Sequence, residues 1–358
     1  MHHLANRLVF LAITVVIVLL VAFLTFQYQS NRFSNHSDDT VFIPQLTENI
    51  ENIATIEITQ KESSLVIDKK AGVWVLMQQG GYQVDVAKVR QLVESLASLE
   101  KLEPKTNNPE RFSALGLEAP SKENTSARVA LFDAQGQPLA DVIIGSLRRT
   151  TGNAMREGAL YVRNSNEDQS WLVKGGVNVS AQINDWMNRE LLRLNSKHVA
   201  SIKIDHPRNT SNDVMIERIP AAGENELSFK VSNLAQGKKV SSQLDVDAIV
   251  DVVTSLNFID VVPEKEKTLK EKDAVKTTYS MDGNLDVTLS IWVEKEDKAK
   301  GAGTVYWIAI SHKVTSDNAP EAIKAVTERL AQYHGWLYQI GGYQGKLLTK
   351  TLSKLTQK

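Results

Sequence analysis

The sequence predicts an α+β protein: an N-terminal transmembrane helix followed by two similar, mainly antiparallel sheet-plus-helix units. Three observations predict it. One long apolar run lies near the start, short stretches alternate like half-buried strands, and the whole strand–strand–strand–helix series recurs about 146 residues further on. The chain divides accordingly into a cytoplasmic tail (1–7), a transmembrane helix (8–28), a tether (29–48), a first unit (49–195) and a second unit (196–358).

The apolar run reads LVFLAITVVIVLLVAFLTF from Leu8 to Phe26, and no charged residue falls between Arg7 and Arg32. At about 1.5 Å per residue such a run crosses the roughly 30 Å hydrocarbon core of a bilayer. It is apolar on every face, unlike a core helix. Its length, and the sequence Phe26-Gln27-Tyr28-Gln29 in place of a small-x-small site, argue against a cleaved signal peptide. Tyr28 falls where an interfacial aromatic is expected. With only Arg7 and the amino terminus ahead of the helix, the short tail is expected to stay inside. The bulk of the chain is then expected outside the cytoplasm. The polar stretch after Tyr28 reads as a flexible tether.

The first unit opens with IATIEITQ (Ile53 to Gln60), and VASIKIDH (Val199 to His206) opens the second. Two strand-like runs follow each: Leu65 to Asp68 and Val73 to Leu76, then Val214 to Glu217 and Leu227 to Val231. A helix comes next in both. Its apolar stripe falls at Val86, Val89, Leu92, Val93, Leu96 and Leu99 in one copy. In the other it falls at Val246, Ile249, Val252, Val253, Leu256 and Ile259. Asp85 and Asp245 are placed as the N-caps. Further strands are expected at Ala127 to Phe132, Leu139 to Ile144 and Leu160 to Arg163, and at Leu285 to Val293 and Thr304 to Ser311. Trp171-Leu172 and Trp336-Leu337 precede closing helices over Ser180 to Leu194 and Tyr343 to Leu355. The second unit has one more helix, Pro320 to Gln332, with Asn318 as its cap and Gly335 past its end.

Composition narrows the function. With 41 basic and 42 acidic residues among 358, the net charge is −1, which removes weight from nucleic-acid binding. There is no cysteine, so disulfides, thiolate chemistry, cysteine-ligated metals and a lipidated cysteine anchor are all excluded. HExxH, GxxxxGK[ST], GxSxG and a strand-following GxGxxG are missing. Ser98 to Lys101 fits S-x-x-K and Ser316 to Asn318 fits S-D-N, yet no K-T-G accompanies them. The histidines His198, His206, His312 and His334 are isolated, with His198 and His206 the one conceivable pair. The acid–base mixtures at Pro263 to Lys276 and Glu294 to Lys300 read as solvated segments, the latter a hairpin tip.

One charge pattern is a candidate site. Lys346, Lys350, Lys354 and Lys358 recur every four residues beside Leu348, Leu352 and Leu355. A core-packed helix with a wet lysine face is the favoured explanation of this spacing; contact with anionic lipid head groups or an acidic partner is the sharper one.

The series IATIEITQ, GVWVL (Gly72 to Leu76), VDVAKVRQLVESLASLEKLEP (Val84 to Pro104), ALGLEAP (Ala114 to Pro120) and ARVALFDAQGQPLADVIIG (Ala127 to Gly145) resembles the bacterial family catalogued as domain of unknown function 4340. Gly116, Leu117 and Pro120 match its G-L-x-x-P turn. The resemblance covers most of residues 50–195 and extends more weakly into the second half. It implies an N-terminally anchored protein, often a companion of ABC-type export or gliding-motility-type transport systems, and it supplies no catalytic residues or cofactor.

The expectation is therefore a non-enzymatic, membrane-anchored extracytoplasmic accessory protein that binds another envelope protein, with an ABC-type transporter component as the candidate the resemblance implies, and needs no cofactor. The competing expectation is a glycan- or lipid-binding envelope module, with Trp171, Trp186, Trp307 and Trp336 as aromatic contacts.

Overall fold

This computed structural model describes residues 40–148, 158–220, 228–295, 303–315 and 321–357. The expected tail, the expected transmembrane helix, the first part of the tether, Asn318 and Lys358 lie outside the described residues. No helix among the described residues is long and apolar enough to cross a membrane.

In chain order the elements are helix α1 (Pro44–Asn49), strands β1 (Ile53–Gln60), β2 (Ser63–Lys70), β3 (Val73–Leu76) and β4 (Tyr82–Gln83), then helix α2 (Val86–Ala97). They continue with β5 (Glu100–Pro104), α3 (Phe112–Leu115), β6 (Ala127–Asp133), β7 (Pro138–Arg148), β8 (Ala159–Asn164) and β9 (Ser170–Lys174). Next come β10 (Glu190–Leu192), β11 (Val199–Asp205), β12 (Val214–Ile219), β13 (Ser228–Val231), β14 (Lys239–Val240) and α4 (Gln243–Asp251). The chain ends with β15 (Leu256–Pro263), β16 (Val275–Met281), β17 (Leu285–Lys295), β18 (Thr304–Val314), α5 (Glu321–Ala331), β19 (Trp336–Ile340), α6 (Gly342–Leu348), α7 (Leu352–Leu355) and β20 (Thr356–Gln357).

The described residues form two compact units. One holds the chain up to Gly72 and Val86–Gln182; the other holds Val73–Asp85 and Ile183–Lys358. In the first unit the strands run in the order β2-β1-β6-β7-β8-β9-β5. In the second they run β12-β11-β16-β17-β18-β19-β15, with β13 and β10 at the two edges. Seven strands thus repeat in the same spatial order, and their recorded pairings are antiparallel. The α+β class and the duplication read from the sequence hold at this level.

The opening strands share a further detail. Apolar positions in IATIEITQ and VASIKID fall at Ile53, Ile56, Ile58 and at Val199, Ile202, Ile204, which breaks strict alternation once. A register shift between Ile53 and Thr55, and another between Val199 and Ser201, restores it. A bulge adds one residue and moves the following side chains to the other face. All six apolar side chains consequently point into the cores, each at most 2% exposed. Each such burial contributes on the order of 2 kcal/mol.

Several expected boundaries move. The tether was drawn to residue 48, but Thr40 already pairs with the sheet: Lys101 N–H donates to Thr40 O at 2.6 Å and Phe42 N–H to Leu99 O at 2.7 Å. Phe42, Ile43 and Leu46 are buried, because α1 has its own apolar face to cover. The second unit begins near Ile183, not residue 196. The expected closing helix over Ser180 to Leu194 is a 3-10 turn (Ile183–Trp186) followed by β10. Leu191 and Leu192 are buried through pairing of β10 with β15, where a helix would bury one stripe. The segment before β1 and the segment before β11 therefore do the same work, each covering the strand that follows its unit's main helix. Residues 73–85 pack with the second unit although they follow β2 in sequence.

The helices differ too. In α2, Val89, Leu92, Val93 and Leu96 are buried as expected, whereas Val86 is 51% exposed. In α4 the cap is Ser242, whose hydroxyl accepts from Asp245 N–H, so Asp245 lies in the first turn and is not the N-cap. Its helix stops at Asp251, and Leu256 and Ile259 of the expected stripe belong to β15.

Candidate functional site

The four-residue lysine spacing was expected to run along one helix, Tyr343 to Leu355. The structure breaks that helix in two. Thr349 leaves the helical region (φ −114°, ψ 19°) and Thr351 is extended (φ −89°, ψ 154°). Thr349 Oγ1 donates to Gly345 O at 2.8 Å, the back-bond by which a helical threonine competes with the ladder. Lys350, between the two threonines, turns inward, and its Nζ lies 2.6 Å from Asp245 Oδ2. Lys346 on α6 and Lys354 on α7 stay exposed. The lysines hence form no single stripe: two face solvent, one ties the C-terminal segment to α4, and Lys358 lies outside the described residues. Gly345 is fixed by packing, since a Cβ there would strike the Tyr306 ring.

The second unit has a buried aromatic cluster. Tyr82, on β4, sets its ring edge-on to Phe258, Trp336 and Tyr338, with centroids 5.7, 5.0 and 6.1 Å away. Gln79 Nε2 donates to Asp260 Oδ1 at 2.8 Å beside it. Burial raises the Tyr82 phenol to about 12. It also raises Tyr338, Tyr333 and Tyr279. Tyr279 donates to Ile249 O at 2.7 Å, adding a second donor to a carbonyl in the last turn of α4 that also accepts the Val252 N–H. These shifts come first from desolvation, and the phenols serve packing and helix ends.

The tryptophan candidates are mainly core. Trp186 and Trp307 are 4% and 5% exposed, and Trp307 lies opposite Trp292 across the β17–β18 pair with its indole N–H on Glu294. Trp336 flanks Tyr82, and Lys101 lies over Trp171 at 5.2 Å. His198 and His206 do not converge. His198 faces Asp282 at 3.7 Å, while His206, at the other end of β11, approaches Thr349 O at 3.4 Å and Asp213 at 3.7 Å. Among the described residues no group of three or more His, Cys, Asp or Glu side chains is placed to hold a metal ion. Shifted carboxylates sit in local ion pairs, such as Asp282 with Arg218 at 2.7 Å, whose hydrogen bond holds the acid below its usual range.

The first unit carries an open cleft of about 550 Å³ lined by Asn49, Asn52, Glu51, Lys69, Asp133 and Gln135. Sequence reading passed over it, because α1 and the β6–β7 turn meet only in the fold; the run of Asn, Asp and Gln at the two turns was its one visible signal.

The G-L-x-x-P turn is structural. Gly116 ends α3 in the left-handed region (φ 68°), where its Cβ would meet Ser146 Oγ at 2.7 Å. Arg163, 8% exposed, donates through Nε to Leu117 O at 2.9 Å and through Nη1 to the Ser165 carbonyl at 2.8 Å. Its guanidinium also lies 4.6 Å from the Phe112 ring centre. The turn thus closes a small core of Phe112, Leu117 and Ile143.

A family model described as a domain of unknown function (DUF4340) matches residues 74–277, more than half of the chain. The matched span runs in sequence from β3 into β16. No curated protein and no solved structure matches the chain.

Proposed function

The chain belongs to the DUF4340 family, and from that premise we propose that it is a non-enzymatic accessory protein, anchored in the bacterial inner membrane, whose periplasmic units bind another envelope protein. A component of an ABC-type transporter is the first partner class. The observation that carries this reading is the repetition of one seven-strand order in two units, each with its exposed sheet edge covered by the segment before its first strand. Tandem sheet units with broad strand surfaces suit recognition.

The anchor is the apolar run at 8–28, and it sets a distance. Because Thr40 already pairs with Lys101, only residues 29–39 lie between membrane and sheet. Fully extended, they reach about 38 Å. The first unit is thereby kept close to the membrane that holds its partner. Purification of the full chain from detergent-solubilised membranes tests this, with recovery of the same integral membrane protein in repeated preparations as the expected result. Recovery of no consistent partner contradicts it.

A second reading has its own observation. The cleft in the first unit offers side-chain amides and carboxylates, groups suited to the hydroxyls of an envelope glycan. Glycan binding lost on Asp133→Ala and Gln135→Ala, with partner recovery unchanged, would favour it.

A further inference from the structure

The C-terminal lysines gain neighbours from a distant part of the chain. Strand β20 pairs with β14, setting Lys239 opposite Gln357 and Val240 opposite Thr356. Ser241 N–H donates to Leu355 O at 2.8 Å, and Lys350 reaches Asp245. Two stretches are thus stitched together, 231–244 and 342–357, and neither contains an aspartate or a glutamate. They gather Lys238, Lys239, Lys346, Lys350 and Lys354 in two joined segments of a protein whose net charge is −1. Among the described residues no carboxylate pairs with Lys238, Lys239, Lys346 or Lys354. Three acids lie beside these segments: Asp245 holds Lys350, Asp213 accepts the His206 backbone N–H at 2.7 Å, and Asp247 accepts from Gln243 Nε2 at 2.9 Å.

Exposed apolar side chains lie in the same two segments. Leu244, next to Asp245, is 80% exposed, and Tyr343, one helical turn before Lys346, is 66% exposed. Val84, the repeat counterpart of Leu244, is 3% exposed, so the repeat does not account for the exposure of Leu244. Unpaired lysines on flexible stems around a protruding tyrosine and leucine match an interface in which phosphates lie beside an apolar layer.

We propose that this surface docks on the anionic phospholipid headgroups of a membrane leaflet, with the lysines meeting phosphates and Tyr343 and Leu244 entering the headgroup–acyl boundary. The proposal deepens the membrane-anchored reading, since it gives the second unit its own hold on the bilayer. A lipid surface is favoured over an acidic protein because the charges are spread over two segments and accompanied by protruding apolar groups. Each lysine near an anionic surface adds a modest, salt-screened attraction, and several together suffice for a stable orientation.

The absence of cysteine makes the test direct, because one introduced thiol is labelled uniquely. The full chain is prepared as Ser353→Cys, beside Lys354, and as Lys313→Cys. Tyr306 packs on Gly345, and Lys313 lies seven residues further along β18, about 23 Å away. Each protein carries an environment-sensitive fluorophore and is reconstituted into phosphatidylcholine vesicles with or without about one third phosphatidylglycerol.

With anionic lipid, the label at 353 is expected to shift to shorter wavelength and to be quenched by lipid-borne quenchers about tenfold more than the label at 313. About 0.5 M salt, or Lys346→Glu with Lys354→Glu, is expected to remove the effect. No response at 353 on anionic vesicles overturns the proposal, as does a response to soluble polyglutamate without one to vesicles. Alkaline carbonate washing of neutral vesicles reads the anchor separately. A chain that washes off refutes the transmembrane helix, while its binding to added anionic vesicles still decides the docking surface.

Discussion

The two units share a strand order and differ in what fills equivalent core positions. Ile56 of β1 lies opposite Leu131, and its counterpart Ile202 of β11 lies opposite Tyr279; both partners are fully buried. Trp171-Leu172-Val173 likewise corresponds to Trp336-Leu337-Tyr338, with Val173 and Tyr338 both buried. The first unit is aliphatic where the second uses phenols. The helices beside them differ too: α2 has twelve residues, whereas α4 has nine and tightens into a 3-10 turn at Val252–Thr254. At that junction Tyr279 donates to Ile249 O, which also accepts the Val252 N–H. The first unit solves a different problem, the α3 turn, with one buried arginine. Duplicated sheets can therefore keep their order while the seams between sheet, helix and turn diverge.

The largest expected effect lies at the first unit's seam. Arg163→Met leaves the Leu117 and Ser165 carbonyls without their donor and should lower the stability of that unit by about 3 kcal/mol. Denaturant unfolding should show that transition shifted and the second unit's unmoved. A shift of both, or of neither, would break the contrast. Next is Tyr279→Phe, which keeps the ring and leaves Ile249 O with the Val252 N–H alone; losing that one hydrogen bond should cost the second unit about 0.5–1.5 kcal/mol. The matched change Leu131→Met in the first unit should cost less than about 1.5 kcal/mol.

Alkaline titration sharpens the same comparison. Burial raises Tyr82 from the ordinary phenol value of 10.0 to about 12, with Tyr279 and Tyr338 raised as well, so the folded second unit retains these protons more tightly than the unfolded chain. That contribution is full below about pH 10 and is lost as pH rises through about 12. Melting temperature against pH should fall across this window, with the phenolate absorbance of Tyr82, Tyr279 and Tyr338 appearing only on unfolding. Ionisation of Tyr82, Tyr279 and Tyr338 near pH 10 in the folded protein would contradict the burial argument. The smallest effect is expected for Lys350→Gln. Its pair with Asp245 is partly exposed, so the loss should stay within about 1 kcal/mol.

Much of the fold could be read from residue order. The opening strands, the amphipathic face of α2 and the 146-residue recurrence follow from side-chain pattern alone. The bulges at Ile53 and Val199 sit on small residues that signal nothing locally. Strand β16 was hidden because its buried face includes Thr277, whose hydroxyl donates to Leu348 O at 2.6 Å, a partner 71 residues away. Strand β10 was taken for helix because LLRL fits either period, and its pairing with β15 decided the matter. At the candidate surface, the exposure of Lys346 and Lys354 was legible. The capture of Lys350 by Asp245, the break at Thr349 and the addition of Lys238 and Lys239 were not, since each depends on contacts more than 100 residues apart or on a local helix break.

The central claim is that an apolar N-terminal helix holds both units on the outer side of the inner membrane. Leu147, 67% exposed on β7, is a convenient reporter in this cysteine-free chain. In intact spheroplasts the full chain carrying Leu147→Cys should react with a membrane-impermeant maleimide as completely as in lysed cells. Labelling that appears only after lysis would place the units in the cytoplasm and contradict the account.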